Sequence, residues 1–434
     1  MIIGIKLEDR RINNMDLSTP EVGNPGVGGT TYEEILLAKY LSCSHEIIVY
    51  HTNNSTILPD KVVSRVVENE LKMPEMAKSD QVDIFIYAAG RTIDWYKEIE
   101  RNQISSVVWA HCYLNYFELR TIRKSDYAKR VVFVGQEEYS AYVADDIIEK
   151  STYIYNMYNS EKYVQRTKNN EKCVVYLGSL NRDKGFHVLA KAWKKVVEVE
   201  PEAKLMVLGT GQLYGRETIL GKYGIATPDY ERRFIKYLID EQGRIIDSVT
   251  FCGIVGADKV DYISNACVGV VNPTGRTETF CISAIEIEAC GVPICTTGKY
   301  GLLDTVVNNK TGLFSNTSEK LGENIVRLIR DKELNYRLSN GARQWSLKFT
   351  PDKLIPEWNK MFEEIENGTK PVYREPLNIG NSNRIKLKKI IRHLRKDKKL
   401  HVLPSFIAFE YIFQGMWRVW IRDILGVLKQ LVRK

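Results

Sequence analysis

The sequence predicts an α/β protein with two domains, each built around a parallel β-sheet. The chain has 434 residues, which is too long for one compact core. Short runs rich in valine and isoleucine alternate with longer helical patterns, and this alternation occurs twice. Such runs are typical of parallel strands that helices cover on both faces. We therefore expect two Rossmann-like domains facing across a cleft, with ligands at the carboxyl ends of the strands.

The predicted elements follow the same order in both halves of the chain. Apolar runs predict strands at 2–6, 46–51, 82–88, 106–110, 130–135 and 152–155, and then at 173–177, 204–209, 248–252, 268–272 and 293–296. Amphipathic stretches predict helices at 31–41, 137–148, 187–197 and 282–289. Residues 214–244 are too many for an ordinary loop and contain a helical pattern, so we expect a helical insertion between two strands.

A polar segment without periodicity, 159–172, separates the two halves. We therefore predict an N-terminal domain over 1–165 and a second domain over 166–348. A threonine cap followed by Pro351 predicts a closing helix, and we expect 349–370 to return to the N-terminal domain. We expect the remaining residues, 371–434, to form a basic helical tail that is rich in aromatic side chains.

The composition is that of a globular protein, with 44% apolar and 27% charged residues. The eight cysteines form no CxxC pair and most lie in apolar runs, which favours free, buried thiols in a reducing cytoplasm over zinc sites or disulfides. The first residues read as a strand rather than a signal peptide, and no run of 18 uncharged apolar residues predicts a membrane-spanning helix.

The segment NPTGRTETFCISAIEIEACGVP carries the strongest functional signal. A strand ends in a turn, Glu278 follows, and a helix begins near Phe280; Glu286 lies about two turns into that helix. The amides of Phe280 and Cys281 precede the helix, where unpaired donors and the helix dipole favour an anion. A ligand with phosphate at the amides and hydroxyls at the carboxylates would suit this site. Two glutamates at this spacing are, taken alone, also typical of a solvated helix.

Three further turns lie at strand ends of the same predicted sheet. Lys184 follows the first strand of the second domain, where its charge can neutralise a diphosphate. Gly209 and Gly211 flank a threonine where backbone could approach a ligand, and Gly253 and Ile254 could contact a base. Each turn alone is also typical of an ordinary βα connection.

In their order and spacing these motifs resemble the C-terminal half of retaining glycosyltransferases of family 4, which have the GT-B fold. The resemblance implies that Glu278 contacts the donor sugar, as a catalytic residue, and that Glu286 contacts the ribose. It also implies that Lys184 and the amides of Phe280 and Cys281 hold the diphosphate. The Gly253–Ile254 backbone would meet the base.

The first half resembles the same family in fewer motifs. The resemblance implies that Gly28 and Gly29, in NPGVGGTTYEE, lie near the phosphates and acceptor at a helix N-terminus. It implies that His111, in VVWAHCY, touches the donor sugar near the reaction centre, although a lone histidine is also typical of a structural role. Ser179 departs from the family, where many members have arginine, and Arg182 is a possible substitute.

The resemblance implies a retaining glycosyltransferase that moves a sugar from a nucleotide-diphosphate donor to a glycan or lipid-linked acceptor, in surface polysaccharide or lipopolysaccharide assembly. No DxD-type carboxylate pair lies at a predicted strand end, so we expect neither a metal nor a cofactor. The alternatives are a nucleotide-sugar epimerase or hydrolase on the same fold, and a non-catalytic membrane-associated subunit.

The positive charge is concentrated in the tail, because residues 384–434 have 14 basic and 3 acidic residues, a net of +11, whereas the whole chain has a net charge of +8. Leu387, Ile390, Ile391 and Leu394 share one predicted helical face, and aromatic residues follow Pro404. A basic amphipathic helix with aromatics suits an anionic membrane surface, which places the protein in the cytoplasm or at the inner face of the membrane. The tail could instead dock on the first domain or on a second subunit. We expect no nucleic-acid partner, because the chain outside the tail is not basic.

Overall fold

The two predicted sheets are present in a computed structural model of the chain. The model describes residues 1–9, 15–54, 56–159, 161–163, 172–212, 218–377, 382–396, 400 and 408. Every strand in both sheets runs parallel to its neighbours. The predicted α/β class with two Rossmann-like domains is therefore confirmed. The predicted domain limits stay predictions, since 164–171 lie outside the described residues.

The first sheet has the strand order β3-β2-β1-β4-β5-β6-β7. Its strands are β1 (Ile2–Lys6), β2 (Glu46–His51), β3 (Val62–Val66), β4 (Ile84–Ala88), β5 (Ser106–Ala110), β6 (Ala128–Phe133) and β7 (Ser151–Tyr153). Its helices are α1 (Gly29–Leu41), α2 (Met73–Ser79), α3 (Ile93–Arg101), α4 (Tyr116–Lys124) and α5 (Gln136–Ala141). The strand order reverses at β1, whose neighbours are β2 and β4. Its carboxyl end is therefore a switch point at which ligands bind in such folds.

The second sheet repeats the arrangement, with the order β10-β9-β8-β11-β12-β13. Its strands are β8 (Cys173–Leu177), β9 (Lys204–Leu208), β10 (Val249–Gly253), β11 (Val268–Val270), β12 (Ile294–Thr296) and β13 (Gly312–Phe314). Its helices are α6 (Phe186–Val199), α7 (Pro228–Phe234), α8 (Lys259–Ser264), α9 (Ile282–Ala289), α10 (Leu302–Thr305), α11 (Ser318–Arg330) and α12 (Lys332–Ser346). The switch point lies at β8, between β9 and β11.

The predicted helix over 137–148 is wrong, because the chain forms two shorter segments there. Helix α5 ends at Ala141, and a 3-10 helix begins at Asp146. Asp145 caps the second segment, since its carboxylate accepts a hydrogen bond of 2.9 Å from the Ile147 amide. An aspartate that binds a nearby amide in this way favours a new helix start over continuation of the old helix.

The chain crosses between the two sheets twice, and the crossings touch. The interdomain linker (residues 154–163, of which 160 is outside the described residues) leads from β7 to the second sheet. Helix α13 (Pro351–Glu366) returns and packs on the first domain, with the Trp358 ring 5.0 Å from that of Trp109. The Tyr158 amide donates to the Phe349 carbonyl over 3.1 Å, which joins the two crossings.

Part of the tail lies against the first domain. Helix α14 (Ser382–Lys396) is held by Arg395 to Asp146 (2.6 Å) and by Lys396 to Glu149 (2.7 Å). The basic side contacts the protein here, whereas Leu387 and Ile390 are 46% and 55% exposed. The aromatic residues after Pro404 lie outside the described residues. None of the described helices is both long and apolar enough to cross a bilayer.

Candidate active site

All ten predicted site residues line one cleft of about 770 Å³, which both sheets border. They are Gly28, Gly29, His111, Lys184, Gly253, Ile254, Glu278, Phe280, Cys281 and Glu286. They lie in the loops that follow β5, β8 and β11, at the end of β10, at the start of α1, and in and just before α9. The volume is that of a site for a ligand of drug-like or nucleotide size.

Lys184 and Glu278 form an ion pair at the second switch point. The Lys184 ammonium donates to Glu278 Oε2 over 2.8 Å, and the Asn272 side-chain amide donates to the same oxygen over 2.8 Å. No described residue donates to Glu278 Oε1. Glu278 is thus held through one oxygen, while the other can accept a hydroxyl.

Glu286 is held in the same manner, by residues that the sequence analysis missed. Lys259, the first residue of α8, donates to Glu286 Oε1 over 2.6 Å, and the Tyr163 hydroxyl donates to that oxygen over 2.6 Å. Glu286 is 3% exposed, so pairing with Lys259 offsets the cost of burying its charge. In the sequence, Lys259 resembles a solvated residue at a helix start.

Helix α9 begins at the cleft, as predicted, with Cys281 at its N-cap position. No described residue accepts a hydrogen bond from the amides of Phe280 or Cys281, so both can donate to an anionic ligand. The Phe280 ring is buried and packs 5.7 Å from Tyr155 and 5.4 Å from Phe349. Burial raises the pKa of the Cys281 thiol well above its usual range, so it stays a neutral thiol.

His111 follows β5 and lies across the cleft from Lys184, on the first domain. Its ring centroid lies 4.4 Å from that of Trp109, with the two planes tilted by 53°, and no described residue bonds its buried Nε2. Burial lowers the pKa of the imidazole to about 3, so the ring is neutral at physiological pH. A neutral imidazole with an unpaired nitrogen can bind a substrate hydroxyl.

The starts of α1 and of the loop after β10 leave space for a ligand. Gly28 is the N-cap of α1, and a methyl group added at Gly29 would meet nothing within 4 Å. Gly253 has a φ of 69° and equally open surroundings, and the neighbouring Ile254 is 47% exposed. These backbone surfaces can therefore approach a ligand closely.

Gly209 lines the cleft, as the sequence predicts, whereas Gly211 does not. A methyl group at Gly209 would overlap the Gly178 carbonyl oxygen, and one at Gly211 would lie 2.8 Å from the Ala226 Cα. These glycines permit the close packing of neighbouring turns. Arg182 is exposed and does not line the cleft, so it does not take the place that Ser179 leaves.

Three of the eight cysteines depart from the prediction of buried thiols, since Cys252 is only partly buried and two others are exposed. Cys43 and Cys112 are exposed, and Cys112 lines the cleft. All eight are free of disulfides. Among the described residues, no three histidine, cysteine, aspartate or glutamate side chains are grouped as metal ligands would be.

Comparisons with known proteins find similarity mainly in the second half of the chain. Residues 159–345 match the family model "Glycosyl transferases group 1". The capsular polysaccharide biosynthesis glycosyltransferase CapM of Staphylococcus aureus is 29% identical over 206 residues, which are 46% of this chain and 48% of that protein. A D-inositol 3-phosphate glycosyltransferase of Corynebacterium jeikeium is 26% identical over 200 residues, which are 45% of this chain and 44% of that protein. The chain thus spans about half the length of these curated relatives.

Solved structures share the fold over most of the chain. Sucrose-phosphate synthase from Thermosynechococcus elongatus aligns with a TM-score of 0.63 and 17% identity, over 85% of this chain and 100% of that one. HepE of Anabaena, solved in complex with UDP, aligns with a TM-score of 0.61 and 15% identity, over 84% of this chain and 99% of that one. The two domains thus have the GT-B arrangement.

Proposed function

We propose that the chain transfers a sugar from a nucleotide-diphosphate donor to a glycan or lipid-linked acceptor, because residues 159–345 match the family model "Glycosyl transferases group 1". The observation that carries the proposal is the convergence of Lys184, Glu278, Glu286 and the start of α9 in one cleft. A related fold solved with UDP supports a nucleotide at this site.

The charges in the cleft suit each part of such a donor. The Lys184 ammonium and the amides of Phe280 and Cys281 would bind the diphosphate and stabilise its charge as the sugar leaves. The unpaired oxygen of Glu278 would accept a sugar hydroxyl, and neutral His111 would bind a second one from the other domain. Gly253 and Ile254 would contact the base.

The mechanism we propose retains the anomeric configuration and needs no metal or cofactor. Lys184 already supplies a cation where a departing diphosphate would develop charge, and it is held there by Glu278 at 2.8 Å. Enclosure between the two domains would exclude water and favour transfer over hydrolysis. These features remain proposals, as does a role in surface polysaccharide or lipopolysaccharide assembly.

We propose that the protein acts in the cytoplasm, at the inner face of an anionic membrane. Leu387 and Ile390 of α14 are exposed apolar side chains beside the basic residues of the tail. The exposed apolar residues can contact lipid, and the net positive charge of residues 384–434 would attract anionic headgroups. The ion pairs of α14 with Asp146 and Glu149 hold this surface in place on the first domain.

A thermal-shift panel of nucleotide sugars and nucleoside diphosphates tests the donor assignment. A specific ligand at a hundred times its Kd stabilises a protein by about 2.7 kcal/mol, so one class of donor is expected to raise the Tm by several degrees. Lys184→Ala is the matched variant, and its shift with the same donor should be much smaller. No shift with any donor would refute the proposal and favour a non-catalytic subunit. Conversion of the donor without an acceptor would favour an epimerase or hydrolase.

A further inference from the structure

The two cleft glutamates are held by similar sets of donors. Glu278 binds a lysine and an amide through Oε2, and Glu286 binds Lys259 and Tyr163 through Oε1. No described residue donates to the second oxygen of either carboxylate. Each glutamate is therefore oriented by the protein through one oxygen and presents the other to a ligand.

Tyr163 differs from the other three donors because it lies on the interdomain linker. It is 3% exposed, its ring lies 5.8 Å from that of Tyr158, and the Lys259 ammonium is 6.0 Å from its ring centroid. Burial and the nearby Glu286 charge raise the pKa of its hydroxyl well above the usual range. The hydroxyl therefore keeps its proton and acts as a donor to the carboxylate.

The linker that carries Tyr163 is itself fixed at two other points. The Met157 amide donates to Glu33 Oε2 of α1 over 3.1 Å, and the Tyr158 amide donates to Phe349 over 3.1 Å. These contacts fix the part of the linker on which the Tyr163 ring packs, and they do not involve α9. A side chain fixed from outside the helix can restrain a carboxylate that would otherwise rotate about its own torsions.

We propose that Tyr163 is a positioning residue for the ribose of the donor, acting through Glu286. Together with Lys259, its hydroxyl orients the carboxylate so that Oε2 accepts a ribose hydroxyl. This inference rests on the proposed function, because it requires a nucleotide in the cleft. It assigns to the linker a part in ligand recognition as well as in connecting the domains.

Tyr163→Phe removes only the hydroxyl and keeps the buried ring. The bond lost is one charge-assisted hydrogen bond, so we expect the Kd of a nucleoside diphosphate to rise about tenfold. Inorganic pyrophosphate has no ribose, and its Kd should change less than about twofold. Tyr158→Phe is the matched control on the same linker, since its hydroxyl bonds Ser346 (3.2 Å) instead of Glu286.

Isothermal titration with UDP, ADP and GDP first identifies the tightest ligand of the unmodified protein, and the variants are then compared with that ligand and with pyrophosphate. A second measurement is a double-mutant cycle, in which Tyr163→Phe is expected to have no further effect in a Glu286→Gln background. Equal affinities for Tyr163→Phe and Tyr158→Phe, an equal loss with pyrophosphate, or additive effects in the cycle would overturn the inference. An unmodified protein that binds none of the three diphosphates would instead refute the proposed function.

Discussion

Gly29 and Gly209 both line the cleft, yet an added methyl group would meet opposite surroundings at the two positions. Gly29 opens α1 and has open space around its Cα, whereas Gly209 has a φ of 148° and lies against the Gly178 carbonyl. One glycine is thus available to a ligand, and the other is required by the packing of two strand ends.

Gly29→Ala is expected to weaken donor binding at least about tenfold, because the methyl group would occupy space next to the phosphates. The Tm should stay unchanged or rise slightly, since alanine is favoured over glycine in helices by up to about 1 kcal/mol. Thermal unfolding and titration with the donor measure both effects. Gly209→Ala is the control, and it should lower the Tm strongly. Unaltered donor binding in Gly29→Ala would show that the ligand does not reach α1.

The cleft residues that belong to short motifs could be predicted from the sequence. Those that contact a motif residue from a distant part of the sequence could not. Glu278 and Glu286 follow a strand at a recognisable spacing, so both were identified. Lys259 is 27 residues and Tyr163 is 123 residues from Glu286, and neither has a local pattern that marks it. Only the tertiary structure brings their side chains to the same carboxylate.

At the scale of elements, the short helix α10 joins the two domains through Asp304. This buried carboxylate accepts hydrogen bonds from the amides of Gln136 (3.2 Å) and Glu137 (2.9 Å) at the start of α5, and from the Tyr155 hydroxyl (3.4 Å). Burial raises the pKa of Asp304 to about 7. The junction therefore titrates near physiological pH.

The stability conferred by Asp304 should decrease as the pH rises. Between its unfolded pKa, near 3.9, and about 7, the folded state holds a proton that the unfolded state has released, so the contribution falls by up to about 1.4 kcal/mol per pH unit. Asp304→Asn does not titrate and serves as the reference. The difference in free energy of unfolding between the two proteins, from denaturant titrations at pH 5 to 8, should shrink up to pH 7 and then level off. A difference that is constant or grows with pH would contradict this.

Strands whose own residues form a clear apolar run were predicted well. Elements whose limits depend on their position in the sheet or on a capping side chain were not. The strands Ile2–Lys6, Glu46–His51, Ser106–Ala110 and Cys173–Leu177 were predicted to the residue because they are buried on both faces. Strands β3 and β13, which were missed, are both edge strands, and the side chains of β3 are largely exposed. The break in the predicted 137–148 helix depends on the Asp145 cap, which apolar periodicity does not reveal.

At the scale of the whole molecule, the tail determines which surface could face a membrane. The described part of the tail packs its basic side on the first domain and leaves Leu387 and Ile390 exposed. The amphipathic pattern was recognised in the sequence, but its orientation was not, because the acidic partners Asp146 and Glu149 are about 250 residues away.

Deletion of 384–434 should abolish binding to anionic vesicles in a sedimentation assay, since it removes both the basic charge and the exposed apolar residues. Ile390→Asp should weaken binding severalfold without altering the fold, because the side chain is already exposed. Ile219→Asp is a matched control, an exposed isoleucine (79%) on the second domain that should have no effect. Equal, weak affinity of the full and truncated chains would rule out the membrane proposal.

The hydrogen bond between Tyr158 and Phe349 has a mechanical consequence. The cleft can open about these two adjoining passes of the backbone only if the hydrogen bonds of Asp304 with Gln136 and Glu137 break. Once they are broken, we expect the two passes to act as a hinge that permits opening and resists sliding and twisting. Such a restricted movement would return the imidazole of one lobe and the ammonium of the other to the same facing positions after every cycle.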